Sequence, residues 1–365
     1  MVNAARRFTV PGKFVSLYGQ EFSTIKGGNH VNVFEVGEVI DEQLVNNKRF
    51  DQLLTWLQSH PDSQGGAAIL QLNHPDTPQR KAHEEYGADD FASLQDWQAK
   101  MSQHVRLISI QNGPSHDGAI NKPARLDTVD DYLAYLSLGF KLGPTCDQDN
   151  HHKNWGQATR ARTAVITDEL TKPKVLAALR SRHVYATQDQ NLRIVIFVEG
   201  RLCGDVVDSF PAPNSDLKIE YTINDDDEPD ADYEIEVWGG RVGGEPAKRL
   251  FPALHVHGNN AQLRPIEEIP FPGENHYILF RVVQDGEHET DDIAWTAPVW
   301  FEQAAQPLAI LVQPEATGTF IASVNSPIYH ISEDCRSVAL IKAVNRVTGL
   351  DAKRNRVAHT NCPVH

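Results

Sequence analysis

The chain has little cysteine, no long apolar run and no excess of positive charge, and each shortage excludes a class of protein. Its 365 residues include four scattered cysteines, which predict no disulfide framework. No apolar stretch approaches the roughly 20 residues that cross a membrane. The net charge of −15 argues against nucleic-acid binding through a global positive field, although a local basic patch stays open. No apolar signal region follows the N-terminus, which predicts a cytoplasmic protein.

The first half of the chain alternates strand-like and helix-like segments. Short apolar runs at 14–18, 31–34, 67–72 and 107–110 predict strands. Apolar residues at helical spacing between Phe50 and Leu57 predict one helix, and 126–142 predicts another. A third helix is expected after Thr171, with a proline in its first turn. This alternation predicts an α/β fold with a largely parallel sheet over residues 1–188.

The rest of the chain divides into three further segments. Strand-like runs separated by polar turns, with no helical period, predict an all-β sandwich module over residues 189–302. Its acidic run at 224–229 is most simply a solvated turn, with a Ca²⁺ site as the alternative. Residues 303–316 predict a linker, and residues 317–365 a small third unit.

Three clusters of histidine and carboxylate residues lie where predicted strands end. Glu21 and His30 bracket one loop, His74 follows another strand, and Asp149 and His151 follow a third. Taken singly, each cluster is more simply a set of surface or turn residues. Because the carboxyl ends of strands in α/β folds face one crevice, their coincidence favours a shared site. A carboxylate oxygen combined with imidazole nitrogens suits Zn, Mn or Fe.

In their order along the chain these motifs resemble PHP-domain metal-dependent phosphoesterases, close to the branch that includes carbaryl hydrolase. The matching stretches are 19–21 with His30, 73–75, 148–151, 155–156, 161–163 and 178–187, with 294–300 in the all-β module. The resemblance implies a distorted β/α barrel, here partial, with a centre of two or three metal ions at its mouth. It assigns the metal-ligand roles to Glu21, His30, His74, Asp149 and His151.

The resemblance also implies a reaction. Metal ions would activate a water for attack on a phosphoester, so that no serine or cysteine nucleophile is needed. Amide or carbamate hydrolysis is the adjacent variant. The family opens with a His-x-His motif, whereas the first histidine of this chain is His30. We therefore expect an N-terminally truncated sequence with Met1 as an internal methionine; the alternative is a variant with a reduced site.

The last unit carries a second constellation of metal-binding residue types. His330, Cys335, Cys362 and His365 fall within about 36 residues and suit a closed tetrahedral Zn site. The alternative is a free cysteine and a frayed tail. The unit resembles the small metal-binding module of the Ada DNA-repair protein. From Thr317 onward, six Lys or Arg residues face three Asp or Glu residues, a local charge that permits contact with nucleic-acid phosphates.

Three functions are consistent with these patterns. The first is a metal-dependent hydrolase that acts on small phosphoesters. The second is a non-catalytic metal-binding protein that recognises a partner through its β-module and zinc unit. The third is a nuclease whose C-terminal unit docks nucleic acid for the metal centre.

Overall fold

The structure is a computed structural model that describes most of the chain in two compact units, Met1–Ala304 and Ala305–His365. It describes residues 1–23, 30–41, 50–75, 94–114, 116–211, 216–266, 271–285, 292–303, 321–323, 328–330, 346–348 and 357–358. Among these residues, no helix has the length and apolar character required to cross a membrane.

The described part of the chain is mostly β-structure with few helices. The helices are α1 (Val2–Phe8), α2 (Phe50–Gln58), α3 (Leu94–Met101), α4 (Val129–Ser137) and α5 (Lys172–Arg180). Helices α2 and α5 lie where the sequence predicts them. Helix α4 is shorter than the predicted 126–142, because the chain reaches Gly139 at a φ of +92°, a left-handed conformation typical of helix ends.

The first sheet is mixed, which corrects the expectation of a largely parallel one. Its strands are β1 (Gly19–Phe22), β2 (Val31–Phe34), β3 (Ile69–Leu72), β4 (Val105–Asn112) and β5 (Gly143–Asp147), in that order. Strands β1, β2 and β3 pair antiparallel, and β3, β4 and β5 pair parallel. The β1–β2 connection is shorter than the dozen or so residues that a parallel crossover needs, so this pair has to run antiparallel.

The described strands of this sheet form no closed barrel, so the partial β/α barrel is not confirmed. Strand β1 is instead the edge of an open sheet. The predicted strand at 14–18 is also missing, and Phe14 forms an isolated bridge to Val10. Residues 15–18 form no strand, so an apolar run alone was not sufficient to define one there.

The strand ends that carry the predicted clusters lie at one edge of the first sheet. The end of β1 pairs with the start of β2 through Phe22 and Val31, and Val31 also pairs with Leu72 at the end of β3. Strands β4 and β5 run parallel to β3 and end in the paired residues Asn112 and Asp147. Mixed strand directions therefore still bring the predicted clusters to one edge.

The described residues between 193 and 301 contain strands and no helix, as the sequence predicts. A large sheet contains β6 (Arg162–Val165), β7 (Val184–Thr187), β10 (Val206–Val207), β12 (Asp232–Arg241), β13 (Lys248–Arg249), β14 (Leu254–His257), β16 (His276–Asp285), β17 (Asp292–Thr296) and β18 (Val299–Phe301). A smaller sheet contains β8 (Arg193–Val198), β9 (Arg201–Leu202), β11 (Leu217–Asn224) and β15 (Asn260–Ile266). Strand β7 pairs with β17, so the large sheet includes strands from both sides of the boundary predicted at 188.

Strand β16 lies between two hydrophobic cores. Ile278, Phe280 and Val282 pack in one core. Residues of the small sheet, including Ile196 of β8 and Ile219 of β11, belong to the same core. Tyr277 and Leu279 belong to the core that lies around the first sheet. Because successive side chains of a strand point to opposite faces, one strand can belong to both cores. Burial of apolar side chains on both faces stabilises the unit Met1–Ala304.

The acidic turn after β11 is more than a solvated loop. Asp225 is fully buried, and its carboxylate accepts hydrogen bonds from the backbone N–H groups of Asp227 and Glu228 at 2.9 and 3.0 Å. The amides of Asn191 and Gln284 donate to the same carboxylate at 2.9 and 3.0 Å. These donors compensate the burial of the charge and give Asp225 a structural role.

The second unit, Ala305–His365, contains a small sheet of its own. Its strands are β19 (Ile321–Ser323), β20 (Ile328–His330), β21 (Arg346–Thr348) and β22 (Val357–Ala358), in the order β21-β19-β20-β22. Of the predicted zinc ligands, His330 is the last residue of β20. Cys335, Cys362 and His365 lie outside the described residues, so the zinc site stays a prediction.

Candidate metal centre

Glu21, His30 and His74 meet at the edge where β1 ends, β2 begins and β3 ends. Each offers one ligand atom, and these atoms lie within 4.8 Å of one another. His30 Nδ1 lies 3.1 Å from Glu21 Oε1, and the rings of His30 and His74 pack edge to face with centroids 4.8 Å apart. The Glu21 and His30 side chains are 36% and 30% exposed, which leaves the cluster accessible to a cation from solvent.

The backbone holds His74 in an unusual conformation. Its φ is +28°, a region that residues other than glycine seldom adopt and that is often found at functional sites. The preceding residue, Asn73, is buried, and its backbone N–H donates to the His30 carbonyl at 2.8 Å. This bond links the end of β3 to the residue just before β2, which places the two imidazoles side by side.

Asn73 also supports the carboxylate of the cluster. Its Nδ2 donates to Glu21 Oε1 at 3.0 Å, and its Oδ1 accepts from Gln71 Nε2 at 2.9 Å. Gln71 Nε2 donates in addition to Asp147 Oδ2 at 2.8 Å. A path of hydrogen bonds therefore runs from Glu21 on β1, through β3, to Asp147 at the end of β5. Such partners fix the orientation of metal-binding side chains.

Asp147 is the ionisable group with the most perturbed environment along this path. Burial raises the pKa of its carboxyl, and the nearby charge of Asp149 raises it further. Hydrogen bonds donated by Gln71 and Thr145 act in the opposite direction, because they favour the ionised form. Asp147 ends the hydrogen-bond path from Glu21 and lies two residues before Asp149.

The other two predicted ligands, Asp149 and His151, form a separate pair after β5. Asn112 Nδ2 donates to Asp149 Oδ2 at 3.3 Å, and His151 Nδ1 lies 2.7 Å from the Asp149 carbonyl oxygen. Asp149 has a φ of +47°, a second left-handed residue at this edge. Within the described residues, neither belongs to a group of three ligands as tight as the Glu21 cluster. The structure thus brings three of the five predicted ligands together.

Sequence reasoning missed several residues of this region. Asn73 was part of a recognised motif but was given no role. For Gln71, the available signal was a polar side chain within the apolar run 67–72. His116, whose ring lies 4.2 Å from that of His151, was not predicted at all. It lies in the loop after β4, where no motif or periodicity marks it.

The two described cysteines offer no thiolate nucleophile. Cys146 and Cys203 are buried and free. Burial raises the pKa of Cys203 to about 12 and that of Cys146 still further above its usual range. A thiol that stays protonated at neutral pH is a poor nucleophile and a poor metal ligand.

Neither a protein-family model nor a curated protein matches this chain. A solved structure of a two-domain protein from Bacteroides vulgatus, containing a predicted PHP-like metal-dependent phosphoesterase, is similar to it. The likeness has a TM-score of 0.33 and 11% sequence identity, and covers 73% of this chain and 69% of that one. A likeness this distant carries no argument about family or activity.

Proposed function

We propose that this protein is a metal-dependent hydrolase of phosphoesters, of the PHP type that its motifs resemble. The cluster of Glu21, His30 and His74, with ligand atoms within 4.8 Å of one another, carries the proposal. One carboxylate and two imidazoles form a donor set that fits Zn, Mn or Fe. The exposure of the cluster is compatible with access of a phosphoester to the same edge.

The chain's own residues would bind a divalent cation and orient its ligands. His30 and His74 provide nitrogen ligands and Glu21 an oxygen ligand, while Asn73 restrains the Glu21 carboxylate through Oε1. A divalent cation bound there would polarise a phosphoryl oxygen and lower the pKa of a bound water. We assign Asp149 and His151 to the same centre as ligands of a further cation, because Asp149 lies two residues after Asp147, where the hydrogen-bond path from Glu21 ends.

Hydrolysis of bis(4-nitrophenyl) phosphate by the full chain tests the proposal. We expect activity that a chelator removes and Mn²⁺ restores. Glu21→Gln and His74→Gln should each lower kcat/KM by more than about 100-fold, since loss of even an outer partner of a metal ligand typically costs 10–100-fold. His60→Gln is the control, because His60 also pairs with a carboxylate, Glu38, at 3.2 Å but lies outside the cluster.

The possible failures are distinct. Activity of His74→Gln equal to that of the unsubstituted chain would refute the site. Metal binding at the cluster without hydrolysis of phosphodiesters or phosphomonoesters would refute the enzyme and support the alternative of a non-catalytic metal-binding protein.

A further inference from the structure

A second group of histidines lies on the exposed face of the large sheet, in a part of the molecule that the proposed function does not use. His255 and His257 are two residues apart on β14, and β14 pairs only with β12 among the described strands. Both imidazoles point away from the core, because Val256 between them is buried while they are exposed. Side chains two residues apart on one face of a strand have Cα atoms about 7 Å apart, a spacing that two imidazoles can span to share one ion.

Each imidazole has a carboxylate partner directly across the strand pair. Asp232 pairs with His257 and Glu234 with His255 in the register of β12 and β14. His257 Nδ1 lies 2.7 Å from Asp232 Oδ1, and His255 Nδ1 lies 3.6 Å from Glu234 Oε1. Both rings therefore turn the Nδ1 side toward a carboxylate and the Nε2 side away from it.

This arrangement has a specific chemical meaning. A carboxylate on Nδ1 favours the tautomer that carries its proton there, so that Nε2 keeps its lone pair for a ligand. Metal-binding histidines commonly have this carboxylate partner, which orients the ring and raises its basicity. His257 has this partner at hydrogen-bond distance, whereas His255 and Glu234 are separated by the longer distance of an ion pair.

The surroundings leave space for a ligand and favour a cation. The group lines a surface concavity of about 640 Å³, which Asp285 of β16 also lines. Asp285 pairs with Asp232 on the side of β12 away from His257, which adds negative charge. The side chains of His255 and His257 are 76% and 73% exposed, so both rings can turn toward one ion without disturbing the core.

We propose that His255 and His257 form a binding site for a borderline divalent metal ion, with Asp232 and Glu234 as the groups that position the rings. Imidazole ligands select ions such as Zn²⁺ over Mg²⁺ and Ca²⁺, which prefer oxygen. Two protein ligands on an open surface leave coordination positions for water or for a further ligand in the concavity. This site is independent of the Glu21 cluster.

Residue-resolved modification by diethyl pyrocarbonate, read by mass spectrometry on the full chain, tests this site without interference from other metal sites. Zn²⁺ at micromolar concentration should protect His255 and His257 together, at one shared midpoint. Mg²⁺ at the same concentrations should protect neither. His183 is the internal control, because it pairs with Asp205 at 2.9 Å but belongs to no His-x-His pair.

Two variants separate a joint site from two independent histidines. In His257→Gln, the Zn²⁺ midpoint for protection of His255 should rise at least about 10-fold, because one imidazole alone remains. In Asp232→Asn, the same Zn²⁺ midpoint should rise by roughly 10-fold, which is the lower end of the effect of losing a partner of a metal ligand. Unchanged labelling up to millimolar Zn²⁺, equal protection by Mg²⁺, or undiminished protection of His255 in His257→Gln would each overturn the proposal.

Discussion

The mixed sheet and the all-β region gather their polar residues in different ways. In the mixed sheet, Glu21, His30 and His74 come from chain segments far apart in sequence and meet where strands begin or end. In the all-β region, His255 and His257 lie within one strand and meet their partners across a single strand pair. Strand ends allow a half-buried site with several layers of support, whereas a sheet face gives an exposed site supported by direct neighbours alone.

The comparison extends to carboxylates with a purely structural role. Glu35, just after β2, is fully buried, and its oxygens accept from Tyr18 N at 2.9 Å, Ser63 Oγ at 2.6 Å and Lys172 Nζ at 2.7 Å. Glu21, on the neighbouring strand, is 36% exposed and faces two imidazoles. Two glutamates of one sheet thus differ in whether protein donors already surround them, and this difference marks Glu21 as the one suited to a ligand.

The largest expected effect tests whether the two regions are one cooperative unit. Leu279 and Phe280 are neighbours on β16, both fully buried, and they pack in different cores. Leu279→Ala should lower the free energy of unfolding by about 2–5 kcal/mol and Phe280→Ala by about 3–5 kcal/mol, since each leaves a cavity. Denaturant unfolding should show one transition for residues of both regions, displaced by either substitution.

An exposed position provides the matched control for that experiment. Leu263 on β15 is 55% exposed, so Leu263→Ala should change stability by less than about 0.5 kcal/mol. Two separate transitions, with each substitution displacing a different one, would show that the regions unfold independently and would contradict the shared role of β16.

The second prediction compares the supports of the two sites. Asn73 is buried and bridges Glu21 and Gln71, whereas Asp232 is exposed. Asn73→Ala should weaken metal binding at the Glu21 cluster by about 10–100-fold. The loss should exceed that of Asp232→Asn at the His255–His257 site, because the buried position of Asn73 leaves Glu21 few other hydrogen-bond donors to replace it. Metal titrations of the two variants measure both effects.

Asn73→Asp sharpens this test, because it keeps the size of the side chain, removes the Nδ2 donor to Glu21 and adds a negative charge that by itself would attract a cation. Binding that falls in Asn73→Ala and also in Asn73→Asp would assign the effect to the lost hydrogen bond. Unchanged affinity in both variants would show that Glu21 needs no partner on β3.

The sequence predicted that Glu21, His30 and His74 meet because carboxyl ends of strands face one crevice, but the structure brings them together by antiparallel pairing. A residue at the end of one strand and a residue at the start of its antiparallel neighbour lie at the same edge, as Phe22 and Val31 do. The direction of the β1–β2 pair was predicted wrongly, because strands indicate parallel pairing only when the connections are long enough to cross over. Strands β2 and β3 also pair antiparallel, although helix α2 lies in the connection between them. The short β1–β2 connection was the available signal.

Cross-strand partners were beyond the reach of local patterns. The His-x-His pair on β14 is visible in the sequence, but its meaning depends on Asp232 and Glu234, which lie more than 20 residues earlier. Only the register between β12 and β14 brings the four side chains together. The same holds for Gln71, whose amide reaches Asp147 across 76 positions of sequence. Register is set by the packing of whole sheet faces, which no short segment specifies.

The smallest expected effect concerns a histidine–carboxylate pair outside both sites. His183 Nε2 lies 2.9 Å from Asp205 Oδ1, and this hydrogen bond is the main cause that lowers the pKa of the Asp205 carboxyl. A carboxyl with a lowered pKa in the folded state stabilises the protein above its ordinary pKa of 3.8, and this contribution is lost as pH falls through the lowered value. Asp205→Asn should therefore cost about 0.5 kcal/mol at pH 6, a small figure because solvent screens a pair whose carboxylate is 35% exposed. Thermal midpoints of the variant and the unsubstituted chain should converge as pH falls below 3.8. Asp208→Asn, at an exposed position, is the control. A difference that persists at low pH would assign the effect to packing rather than to charge.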